Sequence, residues 1–151
     1  NCCWLFVGDG AMMEATQAKI HHEGLSDCFK FTGLLPPENI PLAIHASDVL
    51  VHCSLREGLA RVLPQAMLCG KPVVSFDIDG AKEVVNPNTG FLTEPENVGQ
   101  LIGACEKLLD DAALRQRLGE NGRAFVTQKF APETMVNTIE QVYQKRLDFP
   151  F

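Results

Sequence analysis

The sequence predicts an α/β fold built on a parallel sheet, and three observations lead there. Short apolar runs at residues 2–7, 28–32, 49–53 and 73–76 alternate with stretches of helical period, the pattern of strands joined by crossover helices. Between the third and fourth runs, Leu59, Val62, Leu63, Ala66 and Met67 follow the 3.6-residue period of a helix with one buried stripe, and Gly70 followed by Pro72 stops it. From Pro95 onward the strand patterns give way to amphipathic helical ones. The strand–helix–strand unit over 49–76 implies a right-handed crossover. It leaves the loop 54–58 beyond the carboxyl end of a strand, where open α/β sheets bind ligands. Backbone N–H groups at the start of its helix would face the arriving ligand, a geometry that suits a phosphate.

At 151 residues the chain is expected to form a single domain, long enough to bury roughly two-thirds of its unfolded surface. A hydrophobic fraction of 46% with 21% charged residues is that of a water-soluble globular protein. The net charge of −6 and the pI of about 5.1 argue against nucleic acid or an anionic membrane as partner, since both require a basic surface. No apolar run reaches the roughly 18 residues of a membrane span, and the first residues lack a basic-then-apolar leader pattern. Of the six cysteines, Cys2, Cys3, Cys28, Cys53, Cys69 and Cys105, most fall in apolar strand or helix patterns and none has zinc-ligand spacing. They are expected to be free, buried thiols in a reducing cytoplasm.

Taken in order, the run 2–7 is continuously apolar, as in a strand covered on both faces, and ends in the turn Gly8-Asp9-Gly10. A helix is expected from about Ala11 to His22 with Gly24 as its stop, then a strand over 28–32. The loop Gly33, Leu34, Leu35, Pro36, Pro37 follows, stiffened by its two prolines and excluded by them from a sheet centre. A short helix over 38–46 tolerates Pro41 near its start. After the strand 73–76, residues 77–80 lead into a helical turn over 81–85. The dense turn signal at 86–90 precedes a last short strand at 91–93. Helices are expected over 97–110, over 111–121 closing at Gly122, and over 132–146 with Met135, Ile139, Val142 and Tyr143 on one face.

Several motifs admit a plain reading. Gly8-Asp9-Gly10 lacks the third glycine of a dinucleotide fingerprint, which would fall at Met13, and Cys28 stands where the ribose-binding acid would be, so it reads as a structural turn. Asp77 and Asp79 resemble a metal-binding pair, but no third ligand stands nearby in the sequence. A helix cap at Asp79 is preferred, and no metal is expected. His21, His22, His45 and His52 lack partners at catalytic or metal spacing. Glu57 stands between strand and helix, beside a glycine that lets a ligand approach the backbone. From the residues alone, a ligand-facing carboxylate and a favourable helix-dipole contact are both open.

The run Glu57-Gly58-Leu59-Ala60-Arg61-Val62-Leu63-Pro64-Gln65-Ala66-Met67, followed by Gly70-Lys71-Pro72-Val73-Val74-Ser75, closely resembles the signature of the glycosyl transferases group 1 family. These are retaining, nucleotide-sugar-dependent glycosyltransferases of the GT-B fold. Val7 to Gly10, Phe31 to Glu38, Ala46 to Val49, Asp79 to Val85 and Thr89 to Leu92 are similar to its C-terminal, donor-binding domain in the same order, so the resemblance covers about Trp4 to Phe130. It implies a Rossmann-like three-layer domain spanning 1–151 with a helical tail from about 95. It also implies transfer of a sugar from a nucleoside-diphosphate sugar, without a metal or other cofactor. Glu57 would hold hydroxyls of the transferred sugar as the catalytic residue. Gly58, Leu59, Ala60 and Arg61 would receive the diphosphate, Gln65 would contact the ribose, and the main chain of Gly33, Leu34, Leu35 and Pro36 would flank the nucleobase. Catalysis in such enzymes rests mainly on stabilising the leaving diphosphate.

Two departures stand out. Gln65 replaces a second glutamate of the family signature, exchanging a charge-assisted hydrogen bond for a neutral one at a cost of about 1 kcal/mol. By this resemblance the first residues match the family's second strand, so a strand–helix unit bearing two basic diphosphate clamps, and an N-terminal acceptor-binding domain, are expected to be lacking from these 151 residues. We therefore expect part of an enzyme that does not transfer sugar alone. Closing the gap by pairing the former neighbours predicts one five-stranded parallel sheet in the order 2-1-3-4-5, with a strand from another chain, or a dimer through the exposed sheet, as alternatives. The location expected is the cytoplasm, with peripheral membrane attachment of the full-length enzyme left open. The rival readings are a non-catalytic nucleotide-binding or interaction module of the same fold and, opposed by the Glu57 motif, a sugar-nucleotide epimerase.

Overall fold

A computed structural model describes residues 2–147; Asn1, placed by the sequence reading at the head of the first strand, lies outside them. The chain forms two compact units, one ending at Ser47 and one beginning at Asp48.

In the first unit, β1 (Trp4–Phe6) pairs in parallel with β2 (Phe29–Phe31), Leu5 standing opposite Lys30. The connecting helix α1 (Met13–His22) ends as expected at Gly24. With Gly24 at φ +69, its N–H reaches the His21 carbonyl and the Leu25 N–H reaches that of Ile20, both at 3.0 Å, which is the paired closure of a left-handed helix terminus. Beyond the sheet, a 3-10 turn (Pro37–Asn39) enters α2 (Ile40–His45), whose Ile44 is buried. The continuous apolar run of β1 predicted a strand covered on both faces. Instead Trp4, Leu5 and Phe6 are all exposed, and α1 buries none of its residues. The aromatic rings shield one another: Phe6 lies 5.9 Å from Phe29 and 5.1 Å from Phe31, and Trp4 stacks 6.4 Å from Phe29, distances typical of favourable ring pairs.

The second unit holds the sheet β3 (Leu50–His52), β4 (Val73–Phe76) and β5 (Gly90–Thr93) in that order, all parallel. Central β4 is buried at every position, as its unbroken Val-Val-Ser-Phe requires. Helix α3 (Val62–Leu68) makes the crossover and buries Leu63, Ala66 and Met67, three of the five positions the periodicity marks; Val62 is half-buried, and Leu59, also half-buried, precedes the helix. Helices α4 (Val98–Asp110) and α5 (Ala112–Lys129) close a core of Val74, Ala104, Cys105, Leu108 and Leu118. Side chains cap both: Asn97 accepts from the Gln100 N–H at 3.1 Å and Asp111 from the Leu114 N–H at 2.8 Å.

Helix α5 does not close at Gly122 but runs on to Lys129. The glycine serves packing: a Cβ there would stand 3.1 Å from Met67 Cγ, and one at Gly119 would run into the Gly70 carbonyl. Both let α5 approach α3 more closely than any side chain allows. Helix α6 (Pro132–Leu147) has its expected extent, with Met135, Ile139, Val142 and Tyr143 exposed.

A single five-stranded sheet in the order 2-1-3-4-5 is not confirmed: among the described residues the ladders are β1–β2 within the first unit and β3–β4–β5 within the second. Parallel pairing between strands far apart in sequence depends on packing at a distance, which no local pattern specifies. The expected burial of the cysteines is corrected: none is in a disulfide, but only Cys105 is buried, and Cys2, Cys3, Cys28 and Cys53 are exposed. The first three flank the uncovered β1–β2 pair, and Cys53 lies just past the end of β3.

Candidate functional site

The site lies in the second unit, where two loops leave the carboxyl ends of adjacent strands. After His52 the chain runs through Glu57 and Gly58 to Ala60, which is buried together with Leu63 and fixes the far end of the loop. The Leu63 N–H donates to the Ala60 carbonyl at 3.0 Å. After Phe76 the second loop enters a 3-10 turn (Asp79–Glu83), seated by the buried Ala81, Val84 and Val85. The Lys129 ammonium at the end of α5 donates to the Glu83 carbonyl at 2.6 Å.

The two loops are bonded together. The Gly80 N–H donates to the Gly58 carbonyl at 2.7 Å, and the Glu57 N–H donates to Asp79 Oδ2 at 3.2 Å. Asp79 was expected to cap its own helical turn, yet Ile78 holds the N-cap position and Asp79 opens the turn itself, its carboxylate turned to the Glu57 N–H. It sits at φ +36, a left-handed conformation that Asp tolerates better than most residues, and reaches across to the other loop.

Arg56, Glu57, Gly58, Leu59, Asp79, Gly80 and Glu83 line an open cleft of about 810 Å³, within the size range of ligand sites. Glu57 is exposed in it, and no described segment of this unit fills it. Among the described residues, the backbone N–H groups of Gly58, Leu59, Ala60 and Arg61 have no protein acceptor. Arg61 and Gln65 are exposed one helical turn apart at the start of α3, beyond the residues that line the cleft itself. Gly33, Leu34, Leu35 and Pro36 belong to the first unit. There Gly33, at φ +65, accepts the Gly8 N–H on its carbonyl at 2.9 Å, while Leu34 and Pro36 are exposed. Sequence reasoning passed over Arg56, Gly80 and Glu83 as cleft residues. The signal for Gly80 was its place just after a strand end, where a glycine marks close backbone approach. Although Glu57, Asp79 and Glu83 share the cleft, no set of three or more His, Cys, Asp or Glu side chains among the described residues is arranged to hold a metal.

His52 stands behind the cleft, opposite Ser75 on β4, with its Nδ1 3.3 Å from Ser75 Oγ. The Ser75 hydroxyl is placed to donate to the Phe76 carbonyl at 3.0 Å; which of His52 and Ser75 donates in their contact depends on the imidazole tautomer. Burial pushes the imidazole below its ordinary value, while the charge of Glu57 pulls the other way.

The profile described as Glycosyl transferases group 1 matches residues 1–125. The chain belongs to the glycosyl transferases group 1 family. Its relatives in this family include a 2-deoxystreptamine glucosyltransferase of Streptomyces kanamyceticus, 34% identical over 84% of this chain and 33% of its own length. The structure of HepE of Anabaena in complex with UDP-glucose superimposes with a TM-score of 0.84 at 30% identity, covering 95% of this chain and 41% of HepE; HepE has also been solved with UDP. The C-terminal domain of the group 1 protein LpcC of Francisella tularensis matches with a TM-score of 0.72 at 26% identity, over 79% of this chain and 62% of that one. The chain spans about a third of the length of the curated relatives it matches. No helix among the described residues is long and apolar enough to cross a membrane.

Proposed function

We propose that this group 1 chain is the donor-binding part of a retaining glycosyltransferase, holding a nucleoside-diphosphate sugar at the Glu57 cleft. The observation that carries the reading is the exposed Glu57 carboxylate next to four N–H groups, those of Gly58, Leu59, Ala60 and Arg61, that have no protein acceptor among the described residues. A diphosphate seated there would accept from those amides. The Arg56 and Arg61 side chains, from either end of the loop, would add positive charge.

With the diphosphate so placed, Glu57 would accept from hydroxyls of the sugar, and Gln65 would bind the ribose by a neutral amide. As the glycosidic bond to the diphosphate breaks, negative charge grows on the leaving oxygen, and fixed amide donors stabilise it more than they stabilise the ground state. Glu57 then orients and electrostatically supports the sugar, without attacking it. This chemistry calls for no metal or redox cofactor. The complex of HepE with UDP-glucose supports a uridine donor as the first choice, and the free thiols support the cytoplasm.

Titration calorimetry of the 151-residue chain with UDP, UDP-glucose, GDP and GDP-mannose tests the reading. Binding of a nucleotide sugar more tightly than its nucleotide, with that advantage removed in Glu57→Ala, supports it. A folded chain that gives no heat with any of them favours the second reading, an interaction module of the same fold, which the exchange of carboxylate for amide at Gln65 makes worth testing.

A further inference from the structure

We propose that Asp79 is a positioning residue: its carboxylate, by holding the Glu57 backbone, aims the Glu57 side chain at the donor sugar. The inference rests on the donor-site reading above and extends it to a second loop.

Three observations converge on it. The bond from the Glu57 N–H to Asp79 Oδ2 spans 22 residues of chain and ties together the loops that follow neighbouring strands. An aspartate that merely closed its own turn would accept from an N–H two or three residues onward, whereas the Asp79 carboxylate accepts from the Glu57 N–H of the other loop, and the N-cap position of the turn belongs to Ile78. Next, Gly80 repeats the tie one residue along, its N–H donating to the Gly58 carbonyl. The pair of bonds grips the Glu57–Gly58 segment at its first N–H and its last carbonyl. That fixes the direction of the Glu57 Cα–Cβ bond while leaving the side chain and the N–H groups from Gly58 onward free for a ligand. Finally, Asp79 holds φ +36, which glycine adopts without strain and a residue with a Cβ does not. A strained backbone combined with a side-chain bond to the neighbouring loop is what a clamp requires and a simple turn does not.

The strain supplies the test. Asp79→Gly relaxes the backbone and removes the carboxylate, so a loss of function in it is not a loss of folding. Asp79→Asn keeps an acceptor oxygen. We expect Asp79→Gly to melt at or above the wild-type temperature, to bind UDP within about twofold of wild type, and to bind UDP-glucose about tenfold more weakly, the loss that follows from one misplaced charged hydrogen bond. Asp79→Asn should restore most of the UDP-glucose affinity, and in a Glu57→Ala background Asp79→Gly should change nothing further. An unchanged ratio of UDP-glucose to UDP affinity in Asp79→Gly overturns the proposal, as does an equal loss for both ligands. A wild-type chain that binds neither ligand overturns the donor-site reading instead. Hydrogen exchange at the Glu57 amide then judges the clamp alone: protection in wild type that vanishes in Asp79→Gly upholds it, and equal exchange in the two rejects it.

Discussion

Replacing Gly80 by alanine is the sharpest perturbation of the cleft. A Cβ at this position would run into the Gly58 carbonyl oxygen and lie 3.1 Å from the Gly58 carbonyl carbon and 3.3 Å from Leu59 Cα. Every one of these atoms is backbone, so no rotamer change relieves the contact. The Glu57–Leu59 loop must retreat or the 79–83 turn must shift, and either movement breaks the 2.7 Å bond from the Gly80 N–H. Overpacking of this kind costs about 1–3 kcal/mol, and a buried donor left without its acceptor adds about 1–3, so about 2–4 kcal/mol is expected once partial relaxation is allowed. For a chain of this size that lowers Tm by about 5–15 °C. Gly10→Ala is the control: its Cβ would meet nothing within 4 Å, and it should stay within about 0.5 kcal/mol of wild type. Differential scanning calorimetry measures both. Gly80→Ala melting within about 1 °C of wild type would refute the close approach of the two loops and with it the shape given to the cleft.

Leu63 is fully buried in α3, so Leu63→Ala should cost about 3 kcal/mol in a urea melt, the usual size for a buried leucine truncation. Asp111→Ala removes the cap on the Leu114 N–H and should cost about 1 kcal/mol, read in the same assay. His52 gives the chain a pH dependence. Its folded-state pKa lies below the ordinary 6.5 because of burial, despite the opposing charge of Glu57, so the unfolded chain takes up the proton first as pH falls. The stability contributed by the neutral imidazole is whole above about pH 6.5 and is lost as pH falls through the range beneath it. His52→Gln should flatten that slope in melts compared at about pH 7.5 and about pH 5.

Much of this was legible in the residues, and the misses have common causes. The stripe Leu63, Ala66, Met67 and the unbroken apolar β4 were readable because their periods report on local burial, and both are buried as expected. Gly24 was readable as a stop because a left-handed terminus selects glycine. Gly122 misled for the same reason: a glycine carries one signal whether it ends a helix or admits a neighbour, and only Met67 across the α3–α5 contact decides between them. The apolar run of β1 announced burial that nothing in its own unit provides, because a strand's composition does not name what will cover it. Glu57 and Gly58 stood out by their place between strand and helix. Asp79 did not, since its partner is 22 residues away and turn chemistry alone points to a cap.

The central claim is that the amides opening at Gly58 receive a sugar diphosphate beside Glu57. Amide chemical shifts of the 151-residue chain, followed while UDP-glucose is added, test it most directly. The account predicts that the amides of Gly58, Leu59, Ala60 and Arg61 move together in a saturable way, and that Gly80 follows them through its bond to Gly58. A saturable shift confined to other residues, with these amides unmoved, would contradict it.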